Sequence, residues 1–118
     1  EKPGVYKLER YVVNCGKAMT ATAVIGLEKD GVVTEGVAAG TGPVDAAYKA
    51  IESIVGPDFT LTHYAIQSVS EGEDSLGEVV VRLKRGDHVA TGRGLSTDII
   101  ESSLLAYING VNKLLQQA

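Results

Sequence analysis

The sequence predicts an α+β fold in which two βββα units follow one another and are related by a pseudo-two-fold axis. Three observations predict it: segments of alternating hydrophobicity occur in two groups of three, each group precedes a segment with helical spacing of apolar residues, and glycine-containing turns separate the strands. Residues 1–57 are expected to form the first unit and residues 58–118 the second. Each antiparallel three-stranded sheet would have one face covered by a helix.

The first unit begins with a predicted strand over Val5–Cys15, whose alternation changes phase near Glu9–Arg10 and so indicates a β-bulge. A second strand, Thr20–Glu28, alternates regularly. Asp30-Gly31 then predicts a tight hairpin turn, because these residue types tolerate the positive φ values such a turn needs. The third strand, Val32–Ala39, completes the first sheet.

The first helix is predicted over Pro43–Val55, directly after Gly40-Thr41-Gly42. Proline is favoured at a first helical position because its φ is preset and its missing N–H would have no partner there. Gly56-Pro57 ends the helix. Its apolar stripe is expected to consist of Val44, Ala47, Ile51, Ile54 and Val55.

The second unit repeats this plan with strands over Phe59–Ser70, Gly77–Lys84 and His88–Gly92. The turn Arg85-Gly86-Asp87 joins the last two strands. Gly92-Arg93-Gly94 is predicted to end the last strand and lead into the helix, as the first Gly-x-Gly does in the first unit.

The second helix is predicted to start after an N-cap at Ser96 or Thr97 and to run to about Gln116, with Asp98 and Glu101 near its positive end. Gly110 would be a weak point inside it. Apolar residues at helical spacing are Ile100, Leu104, Tyr107, Ile108, Val111, Leu114 and Leu115.

Composition excludes several classes of protein. The chain has 118 residues and a formal net charge of −4, which suits one small domain and disfavours a nucleic-acid partner. No apolar run is long enough to span a membrane, and no secretory signal is visible. Because Cys15 is the single cysteine, an internal disulfide is excluded, which fits a cytoplasmic location. The Cys15 side chain is expected to be a small buried hydrophobe.

Residues typical of catalytic or metal sites are few. His63 and His88 belong to no metal-binding spacing and are interpreted as strand residues. The acidic residues Glu71, Glu73 and Asp74 do not match a calcium-binding loop and are interpreted as a solvated loop. The sequence therefore predicts no catalytic residue, no metal site and no cofactor in this chain.

The two Gly-x-Gly segments allow two interpretations. Each can be a tight strand-to-helix turn. Alternatively, each can present backbone N–H groups at a helix N-terminus, where the carboxylate of a small ligand such as an amino acid is favoured. Neither segment has the third glycine of a dinucleotide-binding fingerprint.

Three segments resemble motifs of one known family. Residues 40–51, with the sequence GTGPVDAAYKAI, are similar to the GxGPVDAAxxAI element in the C-terminal regulatory (LeuA dimer) domain of α-isopropylmalate synthase. Residues 72–79 resemble the GxDALGEV segment of that domain. Residues 94–109 resemble the start of its GxSTDIIEASxxAYxNAxN helix. The matches occur in order and cover nearly the whole chain, and citramalate synthases carry a homologous domain.

The resemblance implies a regulatory domain that dimerises and binds an end-product amino acid near the dimer interface, for feedback inhibition. The amino acid is leucine in isopropylmalate synthases and isoleucine in some citramalate synthases. The parent enzyme is an acyltransferase whose TIM barrel, absent from this chain, condenses acetyl-CoA with a 2-oxo acid using a divalent metal. A small apolar pocket with partners for an ammonium and a carboxylate suits such an effector.

By position, the resemblance places Gly40, Thr41, Gly42, Val44 and Asp45 at the polar end of the effector. The pocket-lining strand would contribute Leu61, Tyr64 and Ser68. Ser75 and Gly77 would lie on a covering segment, and Thr97 and Ile99 at the start of the second helix.

Three other functions are weighed against an effector-binding domain. A purely structural oligomerisation module would share the fold but bind no amino acid. A small α+β nucleic-acid-binding domain is disfavoured by the acidic charge and by the lack of a basic helix face. A stand-alone enzyme lacks a catalytic cluster.

Overall fold

The computed structural model describes residues 5–68 and 76–117 and shows the predicted βββα-βββα order. The α+β fold class is confirmed. The chain divides into two compact units, Glu1–Pro57 and Asp58–Ala118. The elements are β1 Lys7–Asn14, β2 Ala21–Lys29, β3 Val32–Gly40, α1 Pro43–Val55, β4 Thr60–Ser68, β5 Gly77–Arg85, β6 His88–Ser96 and α2 Ile99–Leu115.

The first sheet has the antiparallel order β1-β2-β3. Its register shifts between Leu8 and Arg10, which confirms the predicted bulge. Asp30 and Gly31 have φ values of 53° and 80°, as expected for the two central residues of a tight turn between twisted strands. Local sequence therefore determines both irregularities of this sheet.

The core of the first unit lies between β2 and α1. Alternate β2 side chains are at most 4% exposed, because they face the helix: Ala21, Ala23, Ile25 and Leu27. The helix contributes three small residues, Ala46, Ala47 and Ala50, together with the larger Tyr48 and Ile51. Of the predicted stripe, Ala47 and Ile51 are buried, whereas Val44, Ile54 and Val55 are only half-buried.

Gly36 brings α1 close to the sheet. It lies in β3 and pairs with Ile25. A Cβ atom at this position would overlap the carbonyl oxygen of Ala50 and the hydroxyl of Ser53. The helix therefore packs directly on bare backbone here, which lets a core with many small alanine side chains exclude water.

The second sheet repeats the antiparallel order as β4-β5-β6. Its first strand also contains a bulge, between Leu61 and His63, which the sequence did not predict. The extra residue places Leu61 and Tyr64 on the same face, opposite Leu83 and Val81 respectively. Leu61 and Ala65, which simple alternation would place on one face, therefore lie on opposite faces, because the alternation restarts after the bulge.

The last strand is longer than predicted. β6 continues to Ser96, so Gly92 and Gly94 lie inside the strand and not at a strand-to-helix turn. A Cβ at Gly92 would overlap the carbonyl oxygen of Ala106, and one at Gly94 would overlap that of Ser102. These glycines let α2 approach the sheet, so the prediction that Gly92-Arg93-Gly94 ends the strand and leads into the helix is wrong.

The second helix begins one residue later than the predicted caps allow. Asp98, and not Ser96 or Thr97, is the N-cap, and its carboxylate accepts a hydrogen bond of 2.9 Å from the Ile100 N–H. Gly110 lies opposite Gly92, whose missing side chain makes room for it, and a Cβ atom at Gly110 would lie 2.9 Å from the Leu83 Cδ1 atom. Within the described residues, neither helix is long and apolar enough to cross a membrane.

Candidate functional site

The link between β3 and α1 forms the first cluster of predicted site residues. Gly40 is the last residue of β3, and Pro43 is the first residue of α1. Between them, Gly42 is the N-cap in an extended conformation, with φ −160° and ψ 176°, and it has no side chain to accept a hydrogen bond. The helix therefore begins without a side-chain cap from its N-cap residue. Pro43 has no N–H and the Ala46 N–H donates to the Gly42 carbonyl oxygen, so the N–H groups of Val44 and Asp45 are the ones without a partner inside the helix.

Asp45 organises this link from within the first turn. Its Oδ2 atom accepts a 2.9 Å hydrogen bond from the Thr41 N–H and lies 3.4 Å from the Thr41 hydroxyl. Lys49, one turn further along, approaches the same oxygen at 3.2 Å. The Thr41 N–H, followed by Lys49, holds the pKa of the Asp45 carboxyl below its ordinary value. Asp45 is therefore ionised at neutral pH and fixes the turn.

Gly40 is required by close packing. A Cβ atom there would lie 2.5 Å from both the Ala46 nitrogen and the Asp45 Oδ2 atom. At Gly42, by contrast, a Cβ atom would meet nothing within 4 Å. One glycine is therefore structural, and the other leaves open space in front of the helix start.

A solvent-open depression of about 670 Å³ adjoins this turn. Gly40 and Thr41 line it with residues that sequence reasoning missed: Ala18, Met19, Thr20, Ala39 and Lys49. Met19 is 68% exposed, and Ala18 before it has a positive φ of 61°. The Asp45–Lys49 spacing of four residues could have indicated the lysine, whereas the β1–β2 loop carries no recognisable pattern.

The second cluster lies between β4 and the start of α2. The hydroxyls of Tyr64 and Ser103 are 2.7 Å apart, which ties the strand to the helix. Leu61 lies on the same sheet face and is 40% exposed. The structure therefore places the two predicted residues Leu61 and Tyr64 on one face of the second sheet.

Gly77 and Ile99 contact each other at the other side of the α2 start. A Cβ atom at Gly77 would lie 2.5 Å from the Ile99 Cδ1 atom. The Ser102 hydroxyl donates to the Gly77 carbonyl oxygen over 2.9 Å, so the helix is tied to β5 as well. Thr97 is exposed beside this contact.

The start of α2 is closed by its own side chains. Asp98 caps the Ile100 N–H, and the Asp98 N–H donates to the Ser96 hydroxyl oxygen at 3.1 Å. The Ser96 hydroxyl in turn donates to the Glu101 carboxylate at 3.1 Å. Thr97 and Ile99 therefore adjoin a helix start that is already capped, unlike the start of α1.

Some predicted residues cannot be placed. Ser75 and the acidic residues Glu71, Glu73 and Asp74 lie outside the described residues. Ser68 is the last residue of β4 and pairs with Gly77. Val44, the remaining predicted residue of the first unit, is half-buried in the first turn of α1.

No catalytic arrangement is found in the part of the chain that the structure describes. His63, His88 and Cys15 are all exposed, so the expectation of a buried cysteine is wrong. No three His, Cys, Asp or Glu side chains among the described residues come together in a way that could hold a metal ion. The described groups offer hydrogen-bonding and apolar contacts suited to binding.

Comparison with known proteins gives one consistent result. Residues 1–115 match the model of the LeuA allosteric (dimerisation) domain. The chain is 51% identical over 114 residues to the 2-isopropylmalate synthase of Carboxydothermus hydrogenoformans, covering 96% of this chain and 22% of that protein. It is 44% identical over 114 residues to that of Pelotomaculum thermopropionicum, covering 96% and 23% respectively. The chain thus spans less than a quarter of the length of these relatives.

Proposed function

The chain belongs to the family of LeuA allosteric (dimerisation) domains, and on this premise we propose that it is the regulatory domain of a 2-isopropylmalate synthase. In this proposal it binds leucine, inhibits by feedback the condensation of acetyl-CoA with 2-oxoisovalerate in leucine biosynthesis, and forms a homodimer in the cytoplasm. The relatives named above support this parent over a citramalate synthase, since both are 2-isopropylmalate synthases.

The uncapped start of α1 is the observation that carries the leucine proposal. Pro43 has no N–H, but the N–H groups of Val44 and Asp45 have no N-cap side chain to bond, and the open space beside Gly42 can admit a carboxylate. Asp45 supplies a negative charge for the ammonium group, because it stays ionised and only its Oδ2 atom is used by Thr41 and Lys49. The Gly40–Asp45 link therefore matches the polar end of a free amino acid.

An apolar neighbour is needed for the branched side chain. In the first unit, Met19 and Ala39 line the depression that adjoins Thr41. A flexible methionine can adapt to an isobutyl group, and one misplaced methyl group costs about 1–3 kcal/mol in a fitted pocket. Leu61 and Tyr64 remain the contacts that the resemblance assigns to the second unit.

Feedback inhibition requires that leucine bind two conformations of the enzyme with different affinities. A typical coupling free energy is about 1–3 kcal/mol, or roughly 5–150-fold in affinity. The divalent metal and the catalytic residues of the parent enzyme would lie outside this domain in this proposal.

Titration calorimetry of the chain with leucine, isoleucine and valine tests the effector. We expect leucine to give a binding heat, and to raise the melting temperature of the chain, at lower concentrations than isoleucine or valine do. A response to isoleucine alone would indicate a citramalate synthase domain. No response to any of the three would leave a structural oligomerisation module as the function.

Gly42→Val tests the position of the site. Because its backbone is extended and a Cβ there meets nothing, we expect the variant to fold normally. The valine side chain would fill the space in front of the amides and raise the leucine dissociation constant by about 100-fold or more. Thr60→Val, at an exposed strand position, is the matched control. Unchanged leucine binding by Gly42→Val would contradict this position even if leucine is the effector.

A further inference from the structure

A row of three valines crosses the face of the first sheet that points away from α1. Val12, Val24 and Val37 are direct neighbours on β1, β2 and β3. Val12 is 56% exposed and Val37 is 67% exposed, with Val24 half-buried between them. These residues, called the valine row below, form an exposed apolar strip on a flat surface.

The equivalent positions of the second sheet are different. Ala65, Val80 and Arg93 occupy the corresponding places on β4, β5 and β6. The next positions on that face include Arg82 and His63, both exposed. The same sheet architecture therefore folds with charge on this face, so the fold itself does not demand the exposed valines of the first unit.

An ion pair lies beside the valine row. Arg10 on β1 and Glu35 on β3 both flank Gly26 on β2, and their side chains approach to 3.0 Å. A Cβ atom at Gly26 would lie 3.0 Å from the Arg10 Cγ atom, so the arginine stem runs flat across the glycine. A positive group from β1 and a negative group from β3 thus meet over the central strand, next to the valine row.

We propose that the valine row is the centre of the surface through which two copies of this chain associate. The inference rests on the dimerisation included in the proposed function and names the surface responsible. A two-fold axis parallel to β2 would place Val12 over the partner's Val37 and Arg10 over the partner's Glu35. Arg10 and Glu35 of each copy then lie opposite a group of the other sign, and this is the self-complementarity that a symmetric dimer requires.

The dimensions of the face agree with this role. Three paired strands give a surface roughly 14 Å wide and about 30 Å long, and stacked sheets lie about 10 Å apart. A standard interface buries about 800 Å² on each partner. The face is therefore large enough for the apolar centre of such an interface, with charged residues around it.

Val37→Arg is the decisive variant, because it copies Arg93 from the equivalent position of the second unit. An unpaired arginine at the centre of the interface should raise the dimer dissociation constant by about 100-fold or more. Leu95→Arg is the matched control, since Leu95 is 49% exposed on the corresponding face of the second sheet. Sedimentation equilibrium over a range of concentrations measures both, and thermal melts verify that the variants fold.

Val12→Lys provides a second measurement at the other end of the row, in case Val37→Arg does not fold. The proposal is supported if Val37→Arg or Val12→Lys folds as a monomer while the control Leu95→Arg remains a dimer. If both variants remain dimers as the wild type does, the assignment of this surface is wrong but the proposed dimerisation is not. The same result is expected if another protein segment covers this face. A wild-type chain that stays monomeric would instead overturn the proposed dimerisation itself, while the leucine titration remains an independent test.

Discussion

The two βββα units have the same backbone plan but differ at the starts of their helices. Their second and third strands are all nine residues long, and the bulge falls at the third residue of β1 and of β4. Gly42 and Asp98 occupy the same place, two residues after the third strand and one before the helix. One is a bare glycine, and the other is a capping carboxylate.

This difference indicates which helix start is available to a ligand. At α2, Asp98 and Ser96 already bind the groups that a carboxylate ligand would use. At α1, the only acidic residue in the first turn, Asp45, reaches back to Thr41 and leaves the space beside Gly42 open. The two units therefore have similar backbones, but they differ in the N-cap residue. Because of that difference the helix start of the first unit is accessible, whereas that of the second unit is capped.

Gly92→Ala is the change with the largest expected effect on stability, because it disturbs the packing of α2 on the second sheet. The new methyl group would overlap the Ala106 carbonyl oxygen and lie 2.6 Å from the Gly110 nitrogen. Since backbone atoms cannot move aside as a side chain can, we expect the free energy of unfolding to fall by about 3 kcal/mol or more. Urea unfolding followed by circular dichroism measures it.

Gly42→Ala is the matched control, with an expected loss of at most about 1 kcal/mol, because its methyl group meets nothing. If the two variants unfold at the same urea concentration, close packing of β6 on α2 is not what holds the second unit together. The roles assigned to the glycines would then be wrong.

The glycines also show where prediction from sequence failed. Asp30-Gly31, Pro43 and the bulge near Arg10 were predicted correctly, because each is determined by neighbours in the chain. Gly92 and Gly94 look locally like a turn, and only the helix packed against them reveals that they belong to a strand. Their role depends on tertiary contact, which no local pattern encodes.

The candidate site divides in the same way. Gly40, Gly42 and Asp45 follow from the resemblance together with helix-start chemistry, and the structure brings them together. Met19 comes from the loop between β1 and β2, more than twenty residues earlier in the chain. Its place beside Thr41 follows from the register of β2 with β3, where Ala21 pairs with Gly40, and a single sequence does not fix that register.

Asp98→Ala tests the cap of the second unit and should have a moderate effect. Loss of the bond to the Ile100 N–H should lower the free energy of unfolding by about 1 kcal/mol. Asp98→Asn keeps a capping oxygen, so it should stay within about 0.5 kcal/mol of the wild type. An equal loss in both variants would show that charge, and not capping geometry, stabilises the start of α2.

Asp45→Asn tests the first unit through pH, with the smallest expected effect because the carboxylate is exposed to solvent. The folded-state pKa of Asp45 lies below its ordinary value of 3.8, so its ionised form stabilises the fold fully above that pH. This contribution is lost as the pH falls through the lowered value. The wild type should therefore exceed the variant in stability near neutral pH, and the difference should shrink as the pH is lowered below 3.8. Lys49→Met separates the causes: because the Thr41 N–H is the larger one, most of the pH dependence should survive without the lysine. A pH dependence that vanishes in Lys49→Met would place the stabilisation in the ion pair, and the turn at Thr41 would then lose its assigned role in fixing the start of α1.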